Sequence, residues 1–281
     1  MRSSDFTGKL TLNLGAGSNI TQIVGGKSDD TFTLTAVDNQ ITGVTLNGNE
    51  GNDTLTVKVG NAVTTAINGV TNVETIIFKQ AATNTTITTV DTLVASGATL
   101  TVDASSFTTK TLTFDGSAET NGSFKITGGA AADTLTGGAG ADTLTGNGGL
   151  DVLDGKGGND QFVLNKAIAT SAVTINNFSV AAGNNDVFAL SNAAFAGAPA
   201  VGAALTVSAV ASATNSANTI LVDTFANLTA NQTATDLVRF GYAKDSGQLF
   251  YDADGNFSAD RVLIATTAAL NLNASNFAIV A

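Results

Sequence analysis

Apolar and polar residues alternate in short runs along the first half of the chain. Leu10, Leu12 and Leu14 are separated by Thr11 and Asn13, and the pattern returns at Phe32 and Leu34, Val44 and Leu46, and Leu55, Val57 and Val59. Leu100 with Val102, Leu112 with Phe114, and Phe124 with Ile126 continue it. A period of two places alternate side chains on one face of a strand, and the runs end at Gly, Asn and Asp, which suit turns. The pattern therefore predicts short strands with one buried face. No run in this part keeps a helical period with caps.

From Gly128 the alternation tightens into a strict repeat of nine: GGAAADTLT, GGAGADTLT, GNGGLDVLD and GKGGNDQFV, filling residues 128–163 without a break. Single copies stand earlier, GGKSDDTFT over residues 25–33 and GNEGNDTLT over residues 48–56. Each nonapeptide supplies a six-residue turn and a three-residue strand. Two complete one coil, so a turn stacks on the one eighteen residues later. Leu135, Leu144, Leu153 and Phe162 then point between two sheets and build a narrow core.

That stacking places Asp133 over Asp151 and Asp142 over Asp160, one strand spacing (~4.8 Å) apart. Two bare carboxylates that close repel by ~1 kcal/mol in water and by ~3 to 4 kcal/mol at an effective dielectric near ~20. A divalent cation between them reverses the sign. Glycine at positions one, two and four lets the backbone curl and aim carbonyl oxygens inward. Carboxylate plus carbonyl oxygen is the donor set of a hard ion, and Ca2+ is the expected cofactor. Candidate ligands are the four aspartates with the turn residues Gly128, Gly137, Ala139, Gly146, Gly148, Gly155 and Gly157. Ala131 at position four, and Asn147 and Lys156 at position two, depart from glycine and mark turns expected to bind less well. Asp30 and Asp53 are candidate ligands in the isolated copies, where a purely structural turn is the alternative.

Composition narrows the function. Thr, Val and Ile accompany abundant Asn and Gly, a β composition, and apolar residues reach 43%. The net charge of −11 opposes binding to nucleic acid or anionic membranes. The chain has no Cys and no His, which excludes within it a Ser-His-Asp triad, a Cys nucleophile and a His-ligated zinc site. No stretch approaches the ~20 apolar residues of a membrane span. Residues 1–10 lack the apolar core of a secretory signal. Gly26, Lys27 and Ser28 resemble the end of a phosphate-binding loop, but Thr21 stands where its first glycine belongs. Asp254 and Gly255 read as a hairpin turn between residues 248–252 and 257–264. With aromatics at 6% and no Trp, a sugar-stacking platform is poorly supplied, and no enzyme activity is expected.

The tandem nonapeptides resemble those of the RTX family, bacterial proteins exported by type I secretion. The tail, FYDADGNFSADRVLIA followed by LNASNFAIVA, is similar to the uncleaved C-terminal region such proteins present to their exporter. Within the family the chain most resembles S-layer proteins, which are acidic, rich in Thr, Ala and Gly, and free of Cys. The resemblance implies an all-β fold: an irregular β-solenoid over residues 1–127, a tandem calcium β-roll over 128–163, and a β-rich cap and secretion region over 164–281. It also implies a secreted, cell-surface structural protein whose partners are calcium, further copies of itself in a lattice, the type I machinery and a cell-surface polysaccharide. An export module of a larger secreted hydrolase, or an extracellular adhesin module, are the alternatives.

Overall fold

The computed structural model describes residues 7–14, 21–36, 45–59, 63–79, 83–166, 172–208, 219–230, 238–253, 257 and 261–281. Val44, Asp254 and Gly255 lie outside them. Within the described residues the chain is a parallel β-solenoid, nearly all β, with one short α-helix at Phe225–Ala230.

The tandem repeats set the local rule. Thr134–Thr136, Thr143–Thr145, Val152–Asp154 and Gln161–Leu164 are the four strands, and their inward residues Leu135, Leu144, Leu153 and Phe162 are fully buried. Strands this short have no stability alone. They gain it by stacking, since each inward Leu or Phe is worth roughly 1.5–3 kcal/mol when buried and each coil covers its neighbour. Successive strands alternate between two sheets. Thr134 pairs with Val152 in one, and Thr143 with Gln161 in the other, which is the eighteen-residue stacking expected of the repeat.

Both sheets extend well beyond the repeats. One has ten strands, all parallel, from Thr11–Leu14 through Thr143–Thr145 to Phe277–Val280. The other has eleven and includes Thr134–Thr136 and Val152–Asp154. A third sheet of three short strands, Gln22–Val24, Thr45–Asn47 and Val70–Thr71, flanks the N-terminal coils. Ser123–Thr127 pairs with Thr143–Thr145, and Gln161–Leu164 with Val187–Ser191, so hydrogen bonding is continuous across residues 128 and 164.

The core is continuous as well. Val102, Ile126, Leu144, Phe162, Phe188 and Phe277 stand in register down the ten-stranded sheet. Phe178 stacks on Phe188 at 4.5 Å between centroids, and Phe188 on Phe277 at 5.7 Å, which ties the last repeat to the C-terminal strand. The C-terminal segment reverses direction. Gln248–Tyr251 runs antiparallel to both Phe240–Ala243 and Val262–Thr266. Tyr251 pairs with Val262, so the expected hairpin forms, with its second strand a few residues later than the pattern suggested. A small satellite core of Leu221, Leu228, Val238, Phe250 and Phe257 seals this end, with the Arg261 guanidinium 5.0 Å from the Phe225 ring.

Candidate metal centre

The turns that connect the strands carry the acids, and they form two columns in the tandem region. Residues 128–133 lie beneath residues 146–151 on one edge, and residues 137–142 beneath 155–160 on the other. In each pair the backbone N–H of the lower aspartate donates to Oδ1 of the upper one: Asp133 to Asp151 at 2.9 Å and Asp142 to Asp160 at 2.8 Å. The lower aspartates repeat the bond one level down, accepting on Oδ1 from Leu112 and Phe124 N–H, each at 2.6 Å. The strand register brings the acids into line, and the carboxylates themselves satisfy the backbone donors left over at the turn.

The isolated copies build the same pair. Asp30 N–H donates to Asp53 Oδ1 at 2.7 Å, and Leu10 N–H to Asp30 Oδ1 at 2.6 Å. Thr31 pairs with Thr54, so the two turns stack although their aspartates are 23 residues apart. All six aspartates of the three pairs are buried, none more than 2% exposed.

The departures from glycine sort the turns by shape. In the lower turns the N–H of position two donates to Oδ2 of that turn's own aspartate: Gly26 to Asp30 at 2.6 Å, Gly129 to Asp133 at 2.6 Å and Gly138 to Asp142 at 2.7 Å. In the upper turns position two is left-handed, with φ of 80° at Asn49, 78° at Asn147 and 69° at Lys156. Position four is then glycine with positive φ: 121° at Gly51, 99° at Gly149 and 104° at Gly158. Asn tolerates that conformation better than most residues, and its side chain also bonds to the turn below, Asn147 Nδ2 to the Gly128 carbonyl at 2.9 Å. Ser28 and Ala131 fall at position four of lower turns, where no left-handed backbone is required. These substitutions thus follow turn shape.

The shape decides what the carboxylate has left to offer. Lower-turn aspartates have both oxygens bonded. In the upper turns Oδ2 of Asp53 and of Asp160 is buried with no hydrogen-bond partner. Position-one glycine lines the same space. A Cβ on Gly128 would collide with Asp133 Oδ2 and lie 2.8 Å from the Gly146 carbonyl oxygen; on Gly137 it would collide with Asp142 Oδ2 and lie 2.9 Å from the Gly155 carbonyl. On Gly146 and Gly155 it would collide with Oδ2 of Asp151 and Asp160. A carboxylate oxygen and, at Gly128 and Gly137, a carbonyl oxygen from the next turn converge where a side chain would otherwise sit. The third-position residues are Ala139, Gly148 and Gly157, and a Cβ on Gly157 would meet Ala139 only at ordinary van der Waals distance. Among the described residues no three acidic side chains cluster, so a cation here would draw on carbonyls as well as carboxylates.

Burial makes Asp53, Asp133, Asp142, Asp151 and Asp160 reluctant to ionise. It pushes the Asp151 and Asp160 carboxyls up to about 7 and those of Asp53 and Asp142 up to about 6, against opposing backbone hydrogen bonds. Asp133 and Asp186 shift upward for the same reason. Such groups favour a proton or a cation. The residues present fit a hard divalent ion: oxygen donors alone, one of them unpartnered in a buried turn, with glycine keeping the space clear.

Residues 44–61 and 127–162 match the model of the RTX calcium-binding nonapeptide repeat, in 4 copies. The chain carries RTX repeats. The match supports an RTX-type protein and makes Ca2+ a plausible cofactor. No curated protein matches the chain.

Three further acids at or beside the RTX columns escaped the repeat pattern, Asp186 and Glu119 buried and Glu74 half-buried. Glu74 follows Asp53 in register and accepts its N–H at 2.6 Å. Asp186 follows Asp160 and accepts its N–H at 3.0 Å. The spacing of Asp186 to the apolar Phe188, two residues on, is that of the repeat and is the signal that could have found it. Glu119 lies beneath the 137–142 turn, where its backbone carbonyl accepts from Ala139 N–H and its Oε1 from Gly122 N–H at 2.9 Å. Nothing in its neighbouring sequence distinguishes it.

Proposed function

We propose that the chain is a calcium-binding structural module of an exported bacterial protein, folded by calcium outside the cell and assembling at the cell surface as part of an S-layer. The observation that carries this is the pairing of RTX turns. Each upper turn holds a buried aspartate whose Oδ2 faces the position-one glycine, and in Asp53 and Asp160 that oxygen has no partner. A cytosol poor in calcium leaves these acids without a counter-charge. Extracellular modules bind calcium at about 10⁻⁴ to 10⁻³ M, so folding would follow export.

The ligands proposed are the carboxylates of Asp30, Asp53, Asp133, Asp142, Asp151 and Asp160 with the carbonyls of their glycine turns. The partners are calcium, the export machinery, further copies of the chain and a cell-surface polysaccharide. The acidic, Cys-free, Thr-rich composition supports the surface-layer assignment, and a role through structure and not catalysis agrees with it. Among the described residues no helix is long and apolar enough to cross a membrane.

Calcium titration by calorimetry, with light scattering and electron microscopy of the same samples, tests both parts. Binding accompanied by ordered sheets or large oligomers supports the full proposal. Binding by a protein that stays monomeric at millimolar calcium would remove the surface-layer role, and absence of binding would remove the calcium role.

A further inference from the structure

The RTX match ends at residues 61 and 162, but the hydrogen-bonded columns do not. In the N-terminal column, Asn47 pairs with Thr71 and Thr54 with Thr75, so Asn72 stands beside Gly48 and Glu74 beside Asp53. A single residue, Val73, replaces the four that separate Gly48 from Asp53, and nothing in residues 72–74 reads as a nonapeptide turn. Glu, one methylene longer than Asp, nonetheless accepts the Asp53 N–H on Oε2 at 2.6 Å, as an RTX aspartate would. Beyond the tandem repeats Gln161 pairs with Val187, which sets Asp186 beside Asp160 across 26 residues.

The two unpartnered buried oxygens described above, Asp53 Oδ2 and Asp160 Oδ2, both belong to the last recognisable turn of their run of repeats. Both aspartates are 1% exposed, which keeps these oxygens out of bulk solvent. A Cβ on Gly48 would collide with Asp53 Oδ2 and with the Asn72 carbonyl oxygen, so those two atoms converge from adjacent levels on one point. At the other end Asp186 is held in place, with Ser179 N–H on its Oδ2 at 2.7 Å and Asn276 Nδ2 on its backbone carbonyl at 2.9 Å. In each case a recognisable turn provides a carboxylate oxygen with unused capacity, and a residue outside any repeat adds a second carboxylate directly above it. A buried, orphaned carboxylate oxygen with a second carboxylate stacked above it calls for a hard cation.

We infer that two further calcium-type sites lie beyond the recognisable repeats, one completed by Glu74 above Asp53 and one by Asp186 above Asp160. The inference rests on the calcium reading above, with oxygen donors from Asp53, Asn72 and Glu74 at one site and from Asp160 and Asp186 at the other.

Native mass spectrometry of the full chain, loaded with calcium and freed of excess, counts the ions directly. Glu74→Gln keeps an oxygen for the Asp53 N–H and removes the charge; Asp186→Asn does the same at the opposite end. Each variant is expected to carry one ion fewer than the parent, and the double variant two fewer, with the circular dichroism of the calcium-loaded parent retained. Should Asp186→Asn fail to fold, Glu74→Gln decides the matter alone. Variants that bind as many ions as the parent, with unchanged affinity, overturn the inference and leave the calcium reading standing. A parent that carries no calcium overturns that reading instead.

Discussion

The backbone N–H of Asp30 donates to Oδ1 of Asp53 at 2.7 Å, the bond that Asp133 makes to Asp151 at 2.9 Å. The first pair is 23 residues apart and the second 18, yet the turns are superposed in the same way. Strand register, and not the length of the connection, sets the geometry of the acids.

Because Asp160 accepts the buried Asp142 N–H on Oδ1, removing it acts twice. With calcium bound, Asp160→Ala is expected to cost about 1–3 kcal/mol by orphaning that donor, and it loses a ligand as well. Urea unfolding with and without calcium measures both, and the calcium-induced gain in stability is expected to be smaller in the variant.

Acid should stabilise the calcium-free roll. The folded carboxyls of Asp53 and Asp142 titrate at about 6 and those of Asp151 and Asp160 at about 7, above the ordinary value of 3.8. The folded state therefore binds more protons than the unfolded chain between these limits. That stabilisation is fully present below pH 3.8 and is lost as the pH rises through about 6 to 7. In chelator, the unfolding midpoint is expected to rise as pH falls from above 7 towards 5. With saturating calcium the trend reverses, because protons then displace the ion. Thermal melts across that range with both additives check the two slopes.

How far the fold could be read in advance differs along the chain. Leu135, Leu144, Leu153 and Phe162 announce the buried face of the roll because they recur at a fixed interval beside a fixed aspartate. Their stacking at twice that interval is what the RTX resemblance implies, and the strand register has it. Glu74 was not legible, since it enters its column through strand pairing after a connection of irregular length, and Asp186 left only its two-residue spacing to Phe188 as a trace. The shape of the turns was half legible. Ala131, Asn147 and Lys156 stood out as departures from glycine, but only backbone angles show that they separate lower turns from left-handed upper ones. The antiparallel pairing of Gln248–Tyr251 with Val262–Thr266 was foreseen, and the Asp254–Gly255 turn proposed for it lies outside the described residues. The parallel return of Phe277–Val280 to the ten-stranded sheet was not foreseen, because pairing across 89 residues leaves no local trace.

That division of turn shapes predicts opposite outcomes at chemically similar positions. Gly149→Ala places a Cβ 2.5 Å from the Ala131 carbonyl carbon on a backbone with φ of 99°. It is expected to cost about 1–3 kcal/mol from the backbone conformation alone, with the collision adding to it. Ala131→Gly, at the same position of the lower turn, should change stability by no more than about 1 kcal/mol. Asn147→Gly should be tolerated better than Asn147→Ala, since φ there is 78°. Parallel denaturation curves rank all four.

Phe188 joins the repeats to the C-terminal strand through its stacks with Phe178 and Phe277. Phe188→Ala is expected to lose about 3–5 kcal/mol and to weaken calcium binding by linkage. Calorimetric titration of the variant, under conditions where it remains folded, checks the second effect.

The central claim is that cations hold the paired turns together. Hydrogen exchange at the Asp133 and Asp142 amides tests it most directly, because their N–H groups donate to Asp151 and Asp160 across each pair. The account predicts strong protection of both amides in calcium, lost on chelation and restored when calcium is returned. Equal protection in the two conditions, in protein shown by elemental analysis to hold no metal, would contradict it.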